Sequence, residues 1–125
     1  MHISRKSSYP EKLLIPDGEI IQEILGLSAG GIEGHSLAKI TIPPGNASAR
    51  HFHKKSEESY LILSGIASLE IDDRAITLSE GEAVLIEPNE IHQITNKDDQ
   101  DLVFLAVCVP AWHPDDSFEA KEDRE

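Results

Sequence analysis

Two histidines one residue apart, His51 and His53, are the feature of this sequence most suggestive of chemistry. Side chains at positions i and i+2 of a β-strand point to the same side, so both imidazoles can reach a common centre. A pair of glutamates, Glu57 and Glu58, follows in the same stretch. The spacing is typical of metal ligands, but so short a motif also occurs as an exposed, solvated histidine pair. Taken alone, the pair leaves both interpretations open.

A third histidine, His92, lies in a later strand-like segment that has its own glycine and asparagine. Two patterns combine glycines with histidines at fixed offsets: Gly45-x5-His51-x-His53-x4-Glu58-x6-Gly65 and Gly81-x10-His92-x3-Asn96. Together they resemble the two motifs of the cupin superfamily, in particular its small single-domain members, over residues 36–110. The six-residue interval before Gly65 selects Glu58 rather than Glu57 for the acidic position.

The resemblance implies an all-β fold, a small antiparallel β-barrel of the cupin or double-stranded β-helix type with jelly-roll topology. It also implies one divalent metal in the mouth of the barrel, bound by four residues: His51, His53, Glu58 and His92. Three neutral imidazoles and one carboxylate suit Mn, Fe, Ni, Cu or Zn, so the ligand set does not identify the metal. Four protein ligands leave up to two positions of an octahedron for water, dioxygen or a chelating substrate.

One stretch departs from the cupin pattern. Cupins usually have Pro-x-Gly before the second-motif histidine, whereas this sequence has Glu87, Pro88 and Asn89. Asparagine is the residue best able to replace glycine in a left-handed conformation, so we expect the turn to survive. The interval from Gly81 to His92 is intact. The departure therefore concerns the shape of the loop more than the metal site.

Short strand-like segments separated by turn residues run along most of the chain, the pattern of an all-β barrel or sandwich. We predict a barrel over residues 36–110, preceded by an N-terminal segment, 1–35, whose leading strand packs on the barrel. A polar C-terminal tail, 111–125, follows, and its end is polar enough to be solvated or disordered. The segment EIIQEILG at residues 19–26 is ambiguous, because its apolar residues also satisfy a helical stripe.

Other reactive residue types have simpler interpretations. Tyr60 lies two residues after Glu58, so its phenol can face the site as a candidate catalytic group, but a core tyrosine is the favoured interpretation. Cys108 lies in an apolar run, which favours a small buried hydrophobe over a nucleophile or ligand. Asn96 is interpreted as a turn residue. The remaining histidines lack a partner spacing and are interpreted as surface or packing residues: His2, His35 and His113.

The acidic composition narrows the class of partner. The formal net charge is -12 at neutral pH, and the basic cluster beside the motif has only Arg50, Lys54 and Lys55. That cluster could guide a small anion, but it is too small for a duplex, so we expect neither nucleic acid nor membrane as a partner. The longest apolar run, residues 102–109, is far too short to span a bilayer. A single cysteine and no apparent secretory signal indicate a cytoplasmic protein.

Two classes of function fit these features. The first is a metal-dependent enzyme on a small substrate that chelates the metal through two adjacent oxygens, either a dioxygenase or an isomerase or lyase. The second is a cupin that binds a sugar or other small ligand without turnover, because only Tyr60 and Glu57 offer an acid or base beside the ligands. Fold-level analogy does not decide between them. We also expect a homodimer, because residues 19–26 and 102–109 offer more apolar surface than one small barrel buries.

Overall fold

Strands dominate the computed structural model, which describes residues 1–120. Within these residues the strands are, in chain order, β1 (Leu13–Leu14), β2 (Ile20–Leu25), β3 (Ser36–Ile42), β4 (His51–Phe52), β5 (Glu57–Ser64), β6 (Ala67–Ile71), β7 (Arg74–Leu78), β8 (Ala83–Ile86), β9 (His92–Thr95), β10 (Leu102–Val109) and β11 (Phe118–Glu119). The same residues include two short 3-10 helices, Lys6–Ser8 and Pro114–Asp116. None of the helices in this part of the chain is long and apolar enough to cross a membrane.

The strands of residues 1–120 form two antiparallel sheets that share one core. The six-stranded sheet has the order β1-β2-β3-β10-β5-β8, and the five-stranded sheet has the order β11-β4-β9-β6-β7. From β3 to β6 and from β7 to β11, each successive strand belongs to the other sheet, as expected of a jelly roll. The all-β, cupin-type barrel with jelly-roll topology predicted from the sequence is confirmed.

Alternating burial along the strands builds the core between the sheets. In β5, Tyr60 and Ile62 are buried, whereas Leu61 between them is exposed, as the two-residue period of a strand requires. The same alternation in β10 buries Phe104, which is 1% exposed. The opposite sheet contributes Leu69 of β6 to the same cluster. Both sheets therefore depend on one shared core, and a side chain that faces it belongs to the interior of the barrel.

The ambiguous segment at residues 19–26 contains a strand, β2. It pairs with β1 on one side and with β3 on the other, with a register irregularity between Glu23 and Leu25. All six of its residues are half-buried, so no clean two-residue alternation marks it in the sequence. Pairing with β3 stabilises a segment that is too short to persist as an isolated helix.

Part of the segment expected to be a solvated tail is structured. Residues 114–116 form a 3-10 helix, and Phe118 pairs with Phe52 of β4, their stacked ring centroids 5.4 Å apart. Asp116 is buried, because its polar groups are used in hydrogen bonds within the protein. Polar composition is therefore a poor guide to solvation here. Residues 121–125 lie outside the described residues, and the division of the chain at residues 35 and 110 stays a prediction.

Replacing Gly65 by alanine should destabilise the fold more than the same change at Gly81. Both glycines have left-handed φ values, +87° and +85°, so alanine introduces backbone strain at either position. Only at Gly65 would the new Cβ meet a backbone oxygen, that of Asp101 at 2.7 Å, whereas nothing lies within 4 Å at Gly81. We expect a loss of about 2–3 kcal/mol for Gly65→Ala and about 1 kcal/mol for Gly81→Ala from urea unfolding. Equal losses would show that the close approach is unimportant.

Candidate metal centre

Three strands and one adjoining loop bring four side chains together. His51 of β4 is paired directly with His92 of β9, and His53 follows β4 immediately. Glu58 lies in β5, in the opposite sheet. One ligand atom from each of the four side chains lies within 4.8 Å of the others. The structure therefore brings together all four residues that the cupin resemblance selected, in a cluster that could hold a metal ion.

Backbone carbonyl groups fix the orientation of the three imidazole rings. In each ring, Nδ1 lies no more than 3.0 Å from a backbone carbonyl oxygen, in the pairs His51 with Ala49, His53 with Asp116 and His92 with Glu90. A carbonyl oxygen can only accept, so each Nδ1 carries the hydrogen and each neutral ring keeps a lone pair at Nε2. Hydrogen bonds of this kind set the same tautomer in metal-binding histidines.

The contacts of Nε2 with Glu58 are those of a cluster that could hold a cation. Nε2 of His92 lies 3.1 Å from Oε1 of Glu58, and Nε2 of His53 lies 3.6 Å from the same oxygen. Nε2 of His53 is buried and has no hydrogen-bond partner among the described residues. A nitrogen lone pair facing a carboxylate oxygen is unfavourable unless a proton or a metal ion lies between them. Three imidazoles and one carboxylate fit a divalent transition metal in that role.

The same contacts set the protonation of the cluster. Burial acts to raise the pKa of the Glu58 carboxyl, but the imidazoles of His53 and His92 that face it outweigh burial and hold that pKa well below its ordinary value. Burial acts to lower the pKa of His53, but the facing carboxylate of Glu58 outweighs burial and raises that pKa. Burial, with the neighbouring His92, lowers the pKa of His51 to about 4. Without a metal, His53 therefore accepts a proton far more readily than His51 does.

Two other described side chains donate hydrogen bonds to Glu58. The hydroxyl of Tyr60 donates to Oε1 at 3.0 Å, and the thiol of Cys108 donates to Oε2 at 3.2 Å. Tyr60 also packs on Phe104 with ring centroids 4.8 Å apart, so it is a core residue as well as a neighbour of the cluster. Burial raises the pKa of both Tyr60 and Cys108. This agrees with Cys108 as a buried residue rather than a nucleophile, and a catalytic role for Tyr60 stays a prediction.

The C-terminal segment holds the backbone beside His53. The carboxylate of Asp116 accepts hydrogen bonds from the backbone N–H groups of residues 54–56, at 3.0–3.2 Å. Burial acts to raise the pKa of Asp116, but these backbone donors outweigh it and lower that pKa. The carbonyl oxygen of Asp116 also accepts from Nδ1 of His53. One residue of the expected tail therefore fixes both the ring of a candidate ligand and the loop that follows it.

Removing the Asp116 carboxylate should weaken metal binding without changing a ligand. Asp116→Ala leaves three buried or half-buried N–H groups without their acceptor, so we expect the affinity for zinc to fall about tenfold and the fold to lose about 1–3 kcal/mol. Isothermal titration and urea unfolding measure the two effects. Asp115→Ala makes the same change at an exposed neighbour and serves as the control. Unchanged zinc affinity in folded Asp116→Ala would contradict this anchoring role.

The loop that departs from the cupin pattern keeps the expected turn. Asn89 has a φ of +72°, within the left-handed region that asparagine tolerates. Its N–H donates to the carbonyl oxygen of His53 at 2.6 Å. The departure therefore preserves a contact with the backbone of a candidate ligand. Asn96 is fully buried and its side chain donates to the carbonyls of Ile42 and Gln100, in agreement with a turn-stabilising role.

The other three histidines lie outside the cluster. Nε2 of His2 lies 3.1 Å from the carbonyl oxygen of Gly30. Nδ1 of His113 accepts from the N–H of Asp115 at 3.0 Å, which caps the second 3-10 helix. His35 is half-buried and does not belong to the cluster. These positions agree with their interpretation as surface or packing residues.

The cluster borders a cavity of about 290 Å³. His51, His53 and Glu58 line it, together with apolar side chains of the six-stranded sheet. Glu19, which sequence reasoning did not single out, also lines the cavity. Burial raises the pKa of Glu19 against a backbone hydrogen bond, and the charge of Glu58 adds to the rise. Glu57, which the sequence offered as an acid or base, is exposed and does not line the cavity.

Fold and site together define a small jelly-roll protein with a candidate metal centre. The family model for the Cupin domain matches residues 38–108. That match covers more than half of the chain, so the chain belongs to the cupin family, as the two sequence motifs indicated.

Three known proteins illustrate the similarity. An uncharacterized protein of Methanocaldococcus jannaschii is 31% identical over 101 residues, which are 81% of each chain. An oxalate-binding protein of Thermotoga maritima is 28% identical over 93 residues, covering 74% of this chain and 77% of the relative. The structure of the Streptomyces nucleoside dehydratase Pac13 superposes with a TM-score of 0.77 at 13% identity, covering 97% of this chain and 92% of Pac13. At that identity, the similarity to Pac13 is one of fold alone.

Proposed function

We propose that this cupin is a metal-dependent enzyme for a small organic substrate that chelates the metal through two adjacent oxygens. The proposed ligands of one divalent transition metal are His51, His53, Glu58 and His92. The observation that carries the proposal is the presence of three Nε2 lone pairs beside a buried carboxylate at the wall of a cavity. Such a group of buried acceptors is costly unless a cation satisfies it. Mn, Fe, Ni, Cu and Zn all suit these ligands.

The residues of the chain would bind and orient the substrate. A divalent metal held here would polarise a chelated carbonyl group or, as iron or manganese, support dioxygen chemistry, giving an isomerase or lyase in the first case and a dioxygenase in the second. The apolar walls of the cavity would keep water from the substrate. Tyr60 lines the same cavity and its single O–H donates to Glu58, so we propose that its oxygen accepts a hydrogen bond from a hydroxyl of the bound substrate.

A cupin that binds a small ligand without turnover is the second candidate function. One observation favours it: the Thermotoga relative, at 28% identity, is named an oxalate-binding protein. The two side chains that donate to Glu58 also stay protonated at neutral pH, since the pKa values of Tyr60 and Cys108 are both raised, so neither is available as a general base. The ligand in this case would be a sugar or another small oxygen-rich molecule.

Metal content and turnover separate the two candidates. Protein purified without added metal should contain a transition metal at close to one ion per chain by elemental analysis. A panel of α-hydroxyketones, 1,2-diketones and 1,2-diols is then tested for oxygen consumption and for substrate loss. Turnover that stops on treatment with EDTA supports the enzyme. Bound metal and a tight ligand without turnover support the binding protein, whereas failure to take up any transition metal excludes both.

We also propose that the chain forms a homodimer through the outer face of the six-stranded sheet. Leu61 and Leu63 of β5 and Leu85 of β8 are 40%, 39% and 52% exposed. Their strands are neighbours in the sheet, and Leu61 alternates with buried core residues, so it faces away from the core. An exposed apolar strand surface is a liability that a second copy of the chain can cover.

Sedimentation at micromolar concentration should therefore give a particle of twice the chain mass of 13.8 kDa. Leu61→Lys should shift the equilibrium to the monomer, because it places a charge in the proposed interface. Thr77→Lys is the matched control, because it places the same charge at an exposed position of β7, in the other sheet. It should leave the dimer intact. A wild-type particle of only 13.8 kDa would contradict the dimer.

A cytoplasmic location and a small-molecule partner complete the proposal. The single cysteine is buried and unpaired, as in proteins of reducing compartments. The net charge of -12 argues against nucleic acid as a partner.

A further inference from the structure

The cavity beside the cluster is acidic as well as apolar. Among the described residues that line it, four are glutamates, Glu58 of the cluster and Glu11, Glu19 and Glu23 outside it, and none is a lysine or an arginine. Lys54, which belongs to the basic cluster of the sequence, is directed to another partner, since its Nζ lies 4.5 Å from the ring centroid of Phe118. Away from the histidines of the cluster, a small anion in the cavity would therefore meet carboxylates and no lysine or arginine.

Apolar side chains form much of the remaining wall. They come from β1, β2 and β3, from the loop after β2 and from the C-terminal segment, and include Leu13, Ile21, Leu27, Ala38, Ile40 and Trp112. A ligand that fills such a cavity gains affinity by burying an apolar body against these side chains. Oxalate, which is small, dianionic and wholly polar, matches neither the apolar wall nor the glutamates.

The glutamates provide acceptors for a ligand that carries hydrogen-bond donors. The half-buried carboxyl of Glu19 lines the same cavity as His51 and Glu58. Glu23 lines the cavity as well, and one of its carboxylate oxygens accepts from Ser28. A carboxyl group can accept a hydrogen bond in either protonation state. A ligand with a hydroxyl group can satisfy such an acceptor, whereas oxalate offers acceptors only.

We infer that the cavity binds a neutral ligand that has a hydroxyl next to a carbonyl and an apolar body, and that Glu19 accepts a hydrogen bond from that hydroxyl. The inference rests on the proposed function, because the adjacent hydroxyl and carbonyl are the oxygens that a metal at the cluster would chelate. Glu19 is thereby a substrate-binding residue contributed by the N-terminal segment. Its charge, together with those of Glu11 and Glu23, makes the cavity select against dianions.

Calorimetric titrations of the zinc-loaded protein with acetoin and with oxalate test the selectivity. Acetoin is a neutral hydroxyketone with two methyl groups whose hydroxyl keeps its proton near neutral pH, and oxalate is the dianionic alternative of similar reach. Free zinc in the same buffer gives the intrinsic preference for each chelator. We expect the protein to favour acetoin over oxalate by about tenfold or more beyond that intrinsic preference, an effect of about 1.4 kcal/mol or more.

Two substitutions of Glu19 separate its charge from its hydrogen bond. Glu19→Leu removes both, so it should weaken acetoin binding about tenfold. Glu19→Gln removes the charge but keeps an acceptor oxygen, so it should retain most of the acetoin affinity. Both variants should bind oxalate more tightly than the wild type does. Glu80→Leu, at an exposed position that does not line the cavity, is the matched control and should change neither affinity.

Elemental analysis of the same samples distinguishes failure of this inference from failure of the metal site. A wild-type protein that does not retain zinc would overturn the proposed metal site itself. A zinc-loaded protein that shows only the chelator preference of free zinc, or a folded Glu19→Leu variant that binds acetoin as the wild type does, would overturn the ligand inference alone. The wild-type comparison needs no variant, so the test holds even if Glu19→Leu proves unstable.

Discussion

His92→Ala should lower the affinity of the protein for a divalent metal by at least about a hundredfold, since even the loss of a hydrogen bond to a ligand commonly costs ten- to a hundredfold. His92 is 1% exposed and its Nε2 lies 3.1 Å from Oε1 of Glu58. The substitution therefore removes one of the three imidazole ligands that the cluster offers to a metal. Competition titration of zinc against a fluorescent chelator measures the change.

The other three candidate ligands should behave in the same way. His51→Ala, His53→Ala and Glu58→Gln each remove one donor or its charge, so each should lower metal occupancy. His35→Ala is the matched control, because His35 does not belong to the cluster. Melting curves in EDTA show whether a variant is folded before its affinity is compared. Stoichiometric zinc at wild-type affinity in folded His92→Ala would sink the assignment of this site.

The stabilisation of the fold by metal should shrink as the pH falls from 8 to about 5, because protons compete with the metal for the imidazoles. As the pH falls, His53 takes up a proton before His51 does, because the pKa of His53 is raised and the pKa of His51 is lowered to about 4. Each pH unit below the pKa of His53 should weaken metal binding by up to about tenfold, or about 1.4 kcal/mol. Glu58, with its lowered pKa, stays ionised over this range and adds no competition.

In the metal-free protein, by contrast, protonation of His53 should stabilise the fold as the pH falls. A folded-state pKa above the unfolded value of about 6.5 gives stability that is fully present below that value and is lost as the pH rises through the folded-state pKa. The melting temperatures with and without metal should therefore converge near about pH 5 and diverge toward neutral pH. Curves recorded with zinc and with EDTA that keep a constant gap would mean that these histidines do not hold the metal.

The cluster could be predicted from the sequence because strand spacing groups His51 with His53, and the resemblance to the two cupin motifs adds Glu58 and His92. His51 and His53 belong to one strand and the start of its loop, and the interval to Gly65 selects Glu58 over Glu57. In a strand, the side chains of residues two positions apart point to the same side of the sheet. Asn89 illustrates the same kind of inference, since its left-handed φ of +72° follows from the backbone preference of asparagine.

Other parts of the site could not be predicted, because they depend on the register between distant segments. Cys108 reaches Glu58 only because β10 and β5 pair with these two residues opposite each other. Asp116 caps residues 54–56 from a segment about sixty positions away, and Glu19 enters the cavity through the pairing of β2 with β3. No local pattern encodes such a register. Pairing with β3 likewise makes β2 a strand, because its half-buried residues show no two-residue period of their own.

X-ray absorption spectroscopy of the zinc-loaded protein is the most direct test of the central claim, that three histidines and one glutamate bind one metal. The account expects about three imidazole nitrogens at about 2.0–2.1 Å and at least one oxygen at about 2.0–2.2 Å, with the imidazole signal reduced in His92→Ala. Cys108 is the nearest competing ligand, because its sulfur lies 3.2 Å from Oε2 of Glu58. A sulfur scatterer at about 2.3 Å, or a shell of oxygens without imidazole, would contradict the account.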